Sequence, residues 1–201
     1  KITMANRNTV GFGLIAQGTV GSTDANQGQG KYYIQSNMAA ALYQGTSVQS
    51  KAGYIMIAED GRTKNTIGIL NGIFYNAATT QKPTFANHYV ANTVPANSEN
   101  ITAFVIDNPL QLFSVSADLA VTQAMMGTTR GVTQAAAAGS TLSGQSSKQL
   151  DIGNAASATA NTFRLLRSAE DPENNDLAAV NSTIIVTQNL NQYLTNAVTW
   201  Q

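Results

Sequence analysis

Residues 101–118 read ITAFVIDNPLQLFSVSAD, and this stretch decides the fold class. β-Branched, aromatic and other apolar residues fill 101–106 and again 112–115, which is typical of two short strands. Between them, Asp107-Asn108-Pro109 combines three residues that favour a turn. The pattern predicts a β-hairpin in which the two strands pair with each other.

Strand signals continue on both sides of this stretch. GYIMIAED at 53–60 alternates apolar and other residues with a period of two, and STIIVTQNL at 182–190 forms the last long strand. TIGILNGIFYN at 66–76 contains two glycines, which predicts a strand that bends or bulges. In 160–171, ANTFRLLRSAED reads as a strand with Arg164 and Arg167 pointing outward.

Helix signals are weak by comparison. DLAVTQAMMGTT at 118–129 favours a short helix, and residues 76–98, with two prolines and many Asn and Thr, predict a long loop. Eight or more strands at roughly ten-residue spacing predict a mainly β protein. We expect a single β-barrel or β-sandwich domain with an extended N-terminal arm and little helix.

The first 30 residues differ from the rest because they are rich in glycine and fit no helical period. We predict an extended arm over 1–30, with short strand pieces at 10–15, and a β-rich body over 31–201. Val10, Phe12 and Leu14 favour docking of the arm onto a neighbouring molecule. Phe85 and Tyr89, in the predicted loop, are further candidates for partner contact.

The other aromatic residues lie mostly at strand positions, where core packing is the default expectation. They are Tyr32, Tyr33, Phe74, Tyr75, Phe104 and Phe113. The single tryptophan, Trp200, lies one residue from the end of the sequence, and burial in a core or an interface would explain it.

The polar composition is uncharged. Eleven basic residues balance eleven acidic ones, whereas Asn, Gln, Ser and Thr number 20, 15, 14 and 23. This balance argues against a basic nucleic-acid-binding surface and against a highly charged disordered segment. A low net charge also removes the self-repulsion that keeps proteins apart in solution. Such a surface suits a protein that packs against neighbours.

Few residues could carry chemistry. There is no cysteine, and the single histidine, His88, lies in the predicted loop, where we expect it to pack or to hydrogen bond. The acidic pairs at 59–60 and 170–173 lie beside turn signals, although sequence leaves open a carboxylate pair across a cleft. DPENND at 171–176 lacks the spacing and glycine of an EF-hand calcium loop. No nucleotide-binding glycine motif occurs, and we expect no enzyme activity, cofactor or metal.

Long apolar stretches are also missing from the sequence. The longest ones, such as 101–106, are too short to span a bilayer, and the first residues contain no apolar signal-peptide core. We therefore expect no membrane partner.

The order of several segments resembles small structural proteins of tailed phages, particularly marine and cyanobacterial ones, identified as capsid decoration (cement) proteins. The segments that carry the resemblance are ALYQGTSV (41–48), TIGILNGIFYN (66–76), TTQKPTFANHY (79–89), ITAFVIDNPLQLFSVSAD (101–118), SGQSSKQLD (143–151), RLLRSAEDPENND (164–176) and STIIVTQN (182–189). These segments are turns and strands rather than a catalytic signature, and the resemblance ends before residue 190.

The resemblance implies a β-barrel or β-sandwich body on the outer capsid surface of a virion assembled from protein made in the host cytoplasm. It implies the major capsid protein as partner and a homo-oligomer, such as a trimer, at local symmetry axes. It implies no enzyme activity and no cofactor. A carbohydrate- or host-binding module of a head fibre or tail remains the alternative, which aromatic side chains in an exposed pocket would favour.

Overall fold

A computed structural model describes residues 5–22, 28–58, 65–133, 139–153 and 161–194. Twelve strands lie in these ranges: β1 Ile15–Thr19, β2 Gly30–Ile34, β3 Ser47–Lys51, β4 Tyr54–Ile57, β5 Gly68–Asn76, β6 Pro83–Ala86, β7 Ile101–Ile106, β8 Gln111–Ser116, β9 Thr129–Val132, β10 Leu150–Asp151, β11 Phe163–Ser168 and β12 Thr183–Gln188. The predicted mainly β class is therefore confirmed.

The strands form two antiparallel sheets, an arrangement consistent with a β-sandwich. The first sheet has the order β1-β8-β12-β11-β9-β10, and the second has the order β2-β7-β5-β3-β4, with β6 paired to β5. Each sheet has its own cluster of buried apolar side chains. The cluster of the first sheet also contains Ile69 of β5 and Ile106 of β7, and these two residues join the sheets.

The predicted hairpin at 101–118 is wrong in its pairing. Both strands exist, but β7 pairs with β2 and β5 in the second sheet, whereas β8 pairs with β1 and β12 in the first. At the turn between them, the side chain of Asn108 accepts a hydrogen bond from the amide of Leu110 at 3.0 Å. Each of the two strands has apolar side chains that it can bury on one face. The two strands can therefore pair in different sheets, each facing its own core.

Two further predictions change in detail. The predicted loop at 76–98 contains β6, which pairs with β5 from Ile73 to Asn76. The predicted helix at 118–129 is reduced to a three-residue 3-10 turn, Gln123–Met125, before β9 begins. The predicted bulge in 66–76 is confirmed, because the register between β5 and β7 shifts between Leu70 and Gly72.

The described part of the N-terminal segment, 5–22, lies against the body instead of projecting from it. Its residues 15–19 form β1 at the edge of the first sheet, not the strand piece predicted at 10–15. The Asn6 side chain donates to the carbonyls of Asp176 and Val180 at 3.0 and 2.9 Å. The Arg7 guanidinium pairs with the Glu173 carboxylate at 2.8 Å. The free arm is therefore not confirmed.

Candidate binding surfaces

A row of side chains crosses one face of the second sheet, one from each of four neighbouring strands. Tyr33 of β2 is directly opposite Thr102 of β7, which is opposite Phe74 of β5, which is opposite Phe85 of β6. Strands lie about 4.8 Å apart, so the row extends roughly 14 Å. Phe85 is 74% exposed and Tyr33 is 54% exposed. Together with the half-buried Phe104, the four aromatic residues form what we call the aromatic face.

The alternation of side chains along β7 explains why these rings lie outside. Ile101, Ala103 and Val105 point into the cluster of the second sheet and are fully buried. Phe104 and Ile106 lie on the opposite face, where Ile106 is covered by the first sheet. The aromatic face therefore lies on the same side of the second sheet as Ile106, in the part that the first sheet does not cover.

A groove runs from the seam between the sheets to the aromatic face. Its inner part has a volume of about 230 Å³ and is lined by Phe12, Leu14 and Ile106 among others. Its outer part has a volume of about 290 Å³ and is lined by Phe85 and Phe104 among others. Gln29 and Asn71 line both parts and therefore connect them.

The described polar side chains that line the groove are all amides of Asn and Gln. Gln44 donates from Nε2 to Oδ1 of Asn71 at 2.9 Å. Within the described part of the chain, this leaves Nδ2 of Asn71 and Oε1 of Gln44 free to bond elsewhere. The side chain of Gln29 forms no hydrogen bond with any described residue. No charged side chain of the described ranges lines either part of the groove.

The outer surface of the first sheet carries aliphatic side chains beside polar ones, including Gln17 and Arg167. Ile15, Ser114, Ile185 and Arg167 lie opposite one another on four neighbouring strands. A shallow depression of about 510 Å³ lies on this surface, and its apolar lining includes Val20, Leu112, Ile185 and Leu166. We call Ile15, Val20, Leu112, Leu166 and Ile185 the aliphatic face. Ile15, Val20 and Leu166 are exposed, Leu112 is half-buried, and Ile185 is buried between them.

Of the five residues predicted for partner contact, three are at least partly exposed and two are buried. Val10 is 68% exposed, Phe12 is half-buried, and Phe12 and Phe85 line the two parts of one groove. Leu14 is buried in the cluster of the first sheet. Tyr89 is fully buried, and its hydroxyl donates to the carbonyl of Met38 at 2.8 Å, so its ring is closed to a partner in this structure.

The acidic residues at 170–176 have structural partners. The Asp171 carboxylate accepts hydrogen bonds from the amide of Glu173 at 3.1 Å and from the side chain of Asn174 at 2.8 Å. Glu173 pairs with Arg7, as described above. The acidic pair at 59–60 lies outside the described residues. In the ranges that the structure describes, no group of three or more His, Asp or Glu side chains is placed to hold a metal ion.

His88 and Lys148 both contact other residues of the folded chain. The ring of His88 stacks on Tyr43 with centroids 5.8 Å apart, beside the side chain of Asn87. Lys148 is buried, and its Nζ donates to the carbonyl of Thr133 at 2.9 Å. Burial lowers the pKa of the Lys148 ammonium below its ordinary value, because water is replaced by a less polar environment.

A tyrosine cluster joins the last described residues to the edge of the second sheet. The Tyr32 hydroxyl donates to the Asp107 carboxylate at 2.6 Å and hydrogen bonds with the Tyr193 hydroxyl. Burial, followed by these hydrogen bonds, raises the pKa of Tyr32, so the phenol stays protonated. Trp200, whose role the sequence leaves open, lies outside the described residues.

Comparison with protein-family models, with curated proteins and with solved structures finds no match for this chain. Over the described residues, no helix is long and apolar enough to cross a membrane.

Sequence reasoning missed three members of the aromatic face, for which core packing was expected. These residues are Tyr33, Phe74 and Phe104. The period-two pattern does place Phe74 and Phe104 on the faces opposite Ile73 and Val105. It does not say which face is covered, because that depends on the strands and loops that pack there.

Proposed function

We propose that this protein is a non-enzymatic virion structural protein, a capsid decoration or cement protein that bridges major capsid subunits on the outer head surface. The observation that carries the proposal is the aliphatic face of the first sheet. Side chains on the solvent face of an antiparallel sheet are ordinarily polar. Three aliphatic side chains of this face, Ile15, Val20 and Leu166, are exposed, and such a group is typical of a surface that docks onto another protein.

The uncharged polar neighbours of this face support a contact with protein, and Arg167, the one charged residue of the described ranges that lines the depression, is ion-paired with Glu170 at 3.8 Å. Gln17 donates from its side chain to the hydroxyl of Ser114 at 3.0 Å, so an uncharged polar pair lies beside Ile15. Uncharged groups of this kind can hydrogen bond across a wet interface without the desolvation of an ion pair. The zero net charge of the chain agrees with association in a crowded shell.

The order of strand and turn segments that resembles phage decoration proteins supports the same proposal. In this proposal the copies cluster as a homo-oligomer, such as a trimer, at local symmetry axes. Each copy contributes a modest contact area, and many copies acting together stabilise the shell against internal DNA pressure.

The test is cosedimentation of the purified protein with capsids that lack it. We expect saturable binding at a fixed ratio to capsid subunits, and we expect Leu166→Asp to weaken it at least tenfold, because a carboxylate would be desolvated on the aliphatic face. Leu142→Asp is the matched control, since Leu142 is 98% exposed and lies outside that face. Absence of binding, or equal binding by both variants, would contradict the proposal.

Deleting residues 1–20 would not separate contact by the N-terminal segment from its role in folding. The deletion removes β1 and the buried Leu14 together with the exposed Val10. Loss of binding would then report loss of the fold. Val10→Asp changes only an exposed position, so it measures the contribution of the N-terminal segment directly.

A further inference from the structure

We propose that the aromatic face and the groove beside it form a binding site for a neutral oligosaccharide. This activity goes beyond the capsid-bridging role and uses the other sheet of the molecule. One site can therefore fail while the other holds, and separate variants distinguish the two.

The rings of the aromatic face offer the apolar half of such a site. Phe74 and Phe85 lie with their centroids 4.7 Å apart and their planes tilted by 43°. One side of the Phe85 ring lies against Phe74, and the rest of its side chain is largely open to solvent. A pyranose ring presents C–H groups on its faces, and an exposed aromatic ring on a rigid strand pair is a suitable platform for them. Binding would remove apolar surface from water on both partners.

The amides of the groove offer the polar half. Sugar hydroxyls both donate and accept hydrogen bonds, so they need both kinds of partner. The Gln44–Asn71 hydrogen bond holds the two amides together and leaves one donor, Nδ2 of Asn71, and one acceptor, Oε1 of Gln44. Gln29, exposed between the two parts of the groove, adds a further donor and acceptor.

The charge of the groove selects a neutral ligand. In the described ranges, the lining of both parts contains only apolar residues, glycine, Asn and Gln. Lys31, opposite Phe104 on the edge strand β2, and Asp107, which follows Ile106, are charged neighbours in sequence or register, but neither lines the groove. Recognition of sulfate, phosphate or carboxylate groups would instead need Arg or Lys in the lining.

The size and shape of the groove suit an extended chain of sugars. The two parts have volumes near the lower limit of small-molecule sites, which is about 300 Å³. Gln29 and Asn71 line both parts of the groove. The two parts therefore form adjoining subsites along one path. Most small-molecule sites likewise combine an apolar lining with a few placed polar groups.

The experiment is isothermal titration of the full chain with maltohexaose, cellohexaose and chitohexaose. We expect saturable binding of at least one of them. Phe85→Ala and Asn71→Ala should each weaken it about tenfold, through loss of the ring platform or of the amide donor. Leu142→Ala, at an exposed position outside the groove, should leave affinity unchanged. Raising salt from about 0.05 to 0.5 M should also leave it unchanged, because no ion pair forms.

Several results would overturn the inference. They are the absence of binding to all three glycans, binding that survives both Phe85→Ala and Asn71→Ala, and binding that weakens with salt. Loss of capsid cosedimentation in Phe85→Ala, without glycan binding in the native chain, would identify the face as a protein-docking surface instead. Thermal unfolding of each variant checks the fold, and Phe85→Ala should cost no more than about 0.5 kcal/mol, since the side chain is mostly exposed.

Discussion

The backbone amide of Leu14 donates a hydrogen bond to the carbonyl of Gly45 at 2.9 Å. Gly45 in turn donates from its own amide to the carbonyl of Leu70 in β5. This chain of two hydrogen bonds ties the N-terminal segment to the second sheet, although β1 belongs to the first. The segment is therefore part of the packed body, and its contribution to stability can be measured.

Gly45→Ala should destabilise the protein by about 2–3 kcal/mol. Gly45 has φ of +85°, where an L residue costs about 1–2 kcal/mol, and its new Cβ would lie only 3.1 Å from the amide nitrogen of Leu14. Gly53→Ala is the matched control, because Gly53 has φ of +82° with open space around it. Urea unfolding measures both. Equal losses would show that the contact with Leu14 contributes nothing.

Leu14→Ala and Val10→Ala should differ strongly, although the two residues are four positions apart. Leu14 is buried, and its truncation should cost about 2–5 kcal/mol through lost burial and the resulting cavity. Val10 is exposed, and its truncation should change stability by less than about 0.5 kcal/mol. Chemical denaturation curves provide the measurement. A small loss for Leu14→Ala would mean that the N-terminal segment is detached in solution.

Tyr89→Phe should destabilise the fold by about 1 kcal/mol, because it removes the buried hydrogen bond to the Met38 carbonyl. The loss is modest, since that carbonyl also accepts from the amide of Asn92. Tyr33→Phe serves as control, because Tyr33 is exposed and its hydroxyl has no partner among the described residues. Equal stability of the two variants would contradict the structural role of Tyr89.

Lys148→Met should raise stability at neutral pH by about 1–2 kcal/mol, since it removes a buried charge that no carboxylate compensates in the described structure. The unfolded chain has the ordinary lysine pKa of 10.5, and the folded chain has a lower one. The unfolded state therefore binds more protons between these two values, so native stability rises with pH through that window.

The pH dependence supplies the decisive comparison for Lys148. Lys148→Met should lose this rise, whereas Lys31→Met, which removes a charge from an exposed position, should keep it. Thermal unfolding at a series of pH values up to 10.5 measures the difference. The same slope in the native chain and in Lys148→Met would contradict the proposed cost of burial.

The positions of most strands were determined by the sequence alone, because strand formation leaves a local signal. Alternation and β-branched residues mark 101–106, 163–168 and 183–188 without any knowledge of their partners. The outward orientation of Arg164 and the bulge near Gly72 also have local signals, since each follows from residue types within one strand. The mainly β class and the absence of long helices from the described residues follow from the same signals.

Only the tertiary structure decided which strands pair and which faces are covered. The adjacent strands β7 and β8 belong to different sheets, since β7 pairs with β2 and β5 and β8 pairs with β1 and β12. Tyr89 is buried and Phe85, four residues away, is exposed, because Leu42 and Met38 pack against one but not the other. Pairing and covering depend on residues far apart in the chain, and no local pattern contains that information.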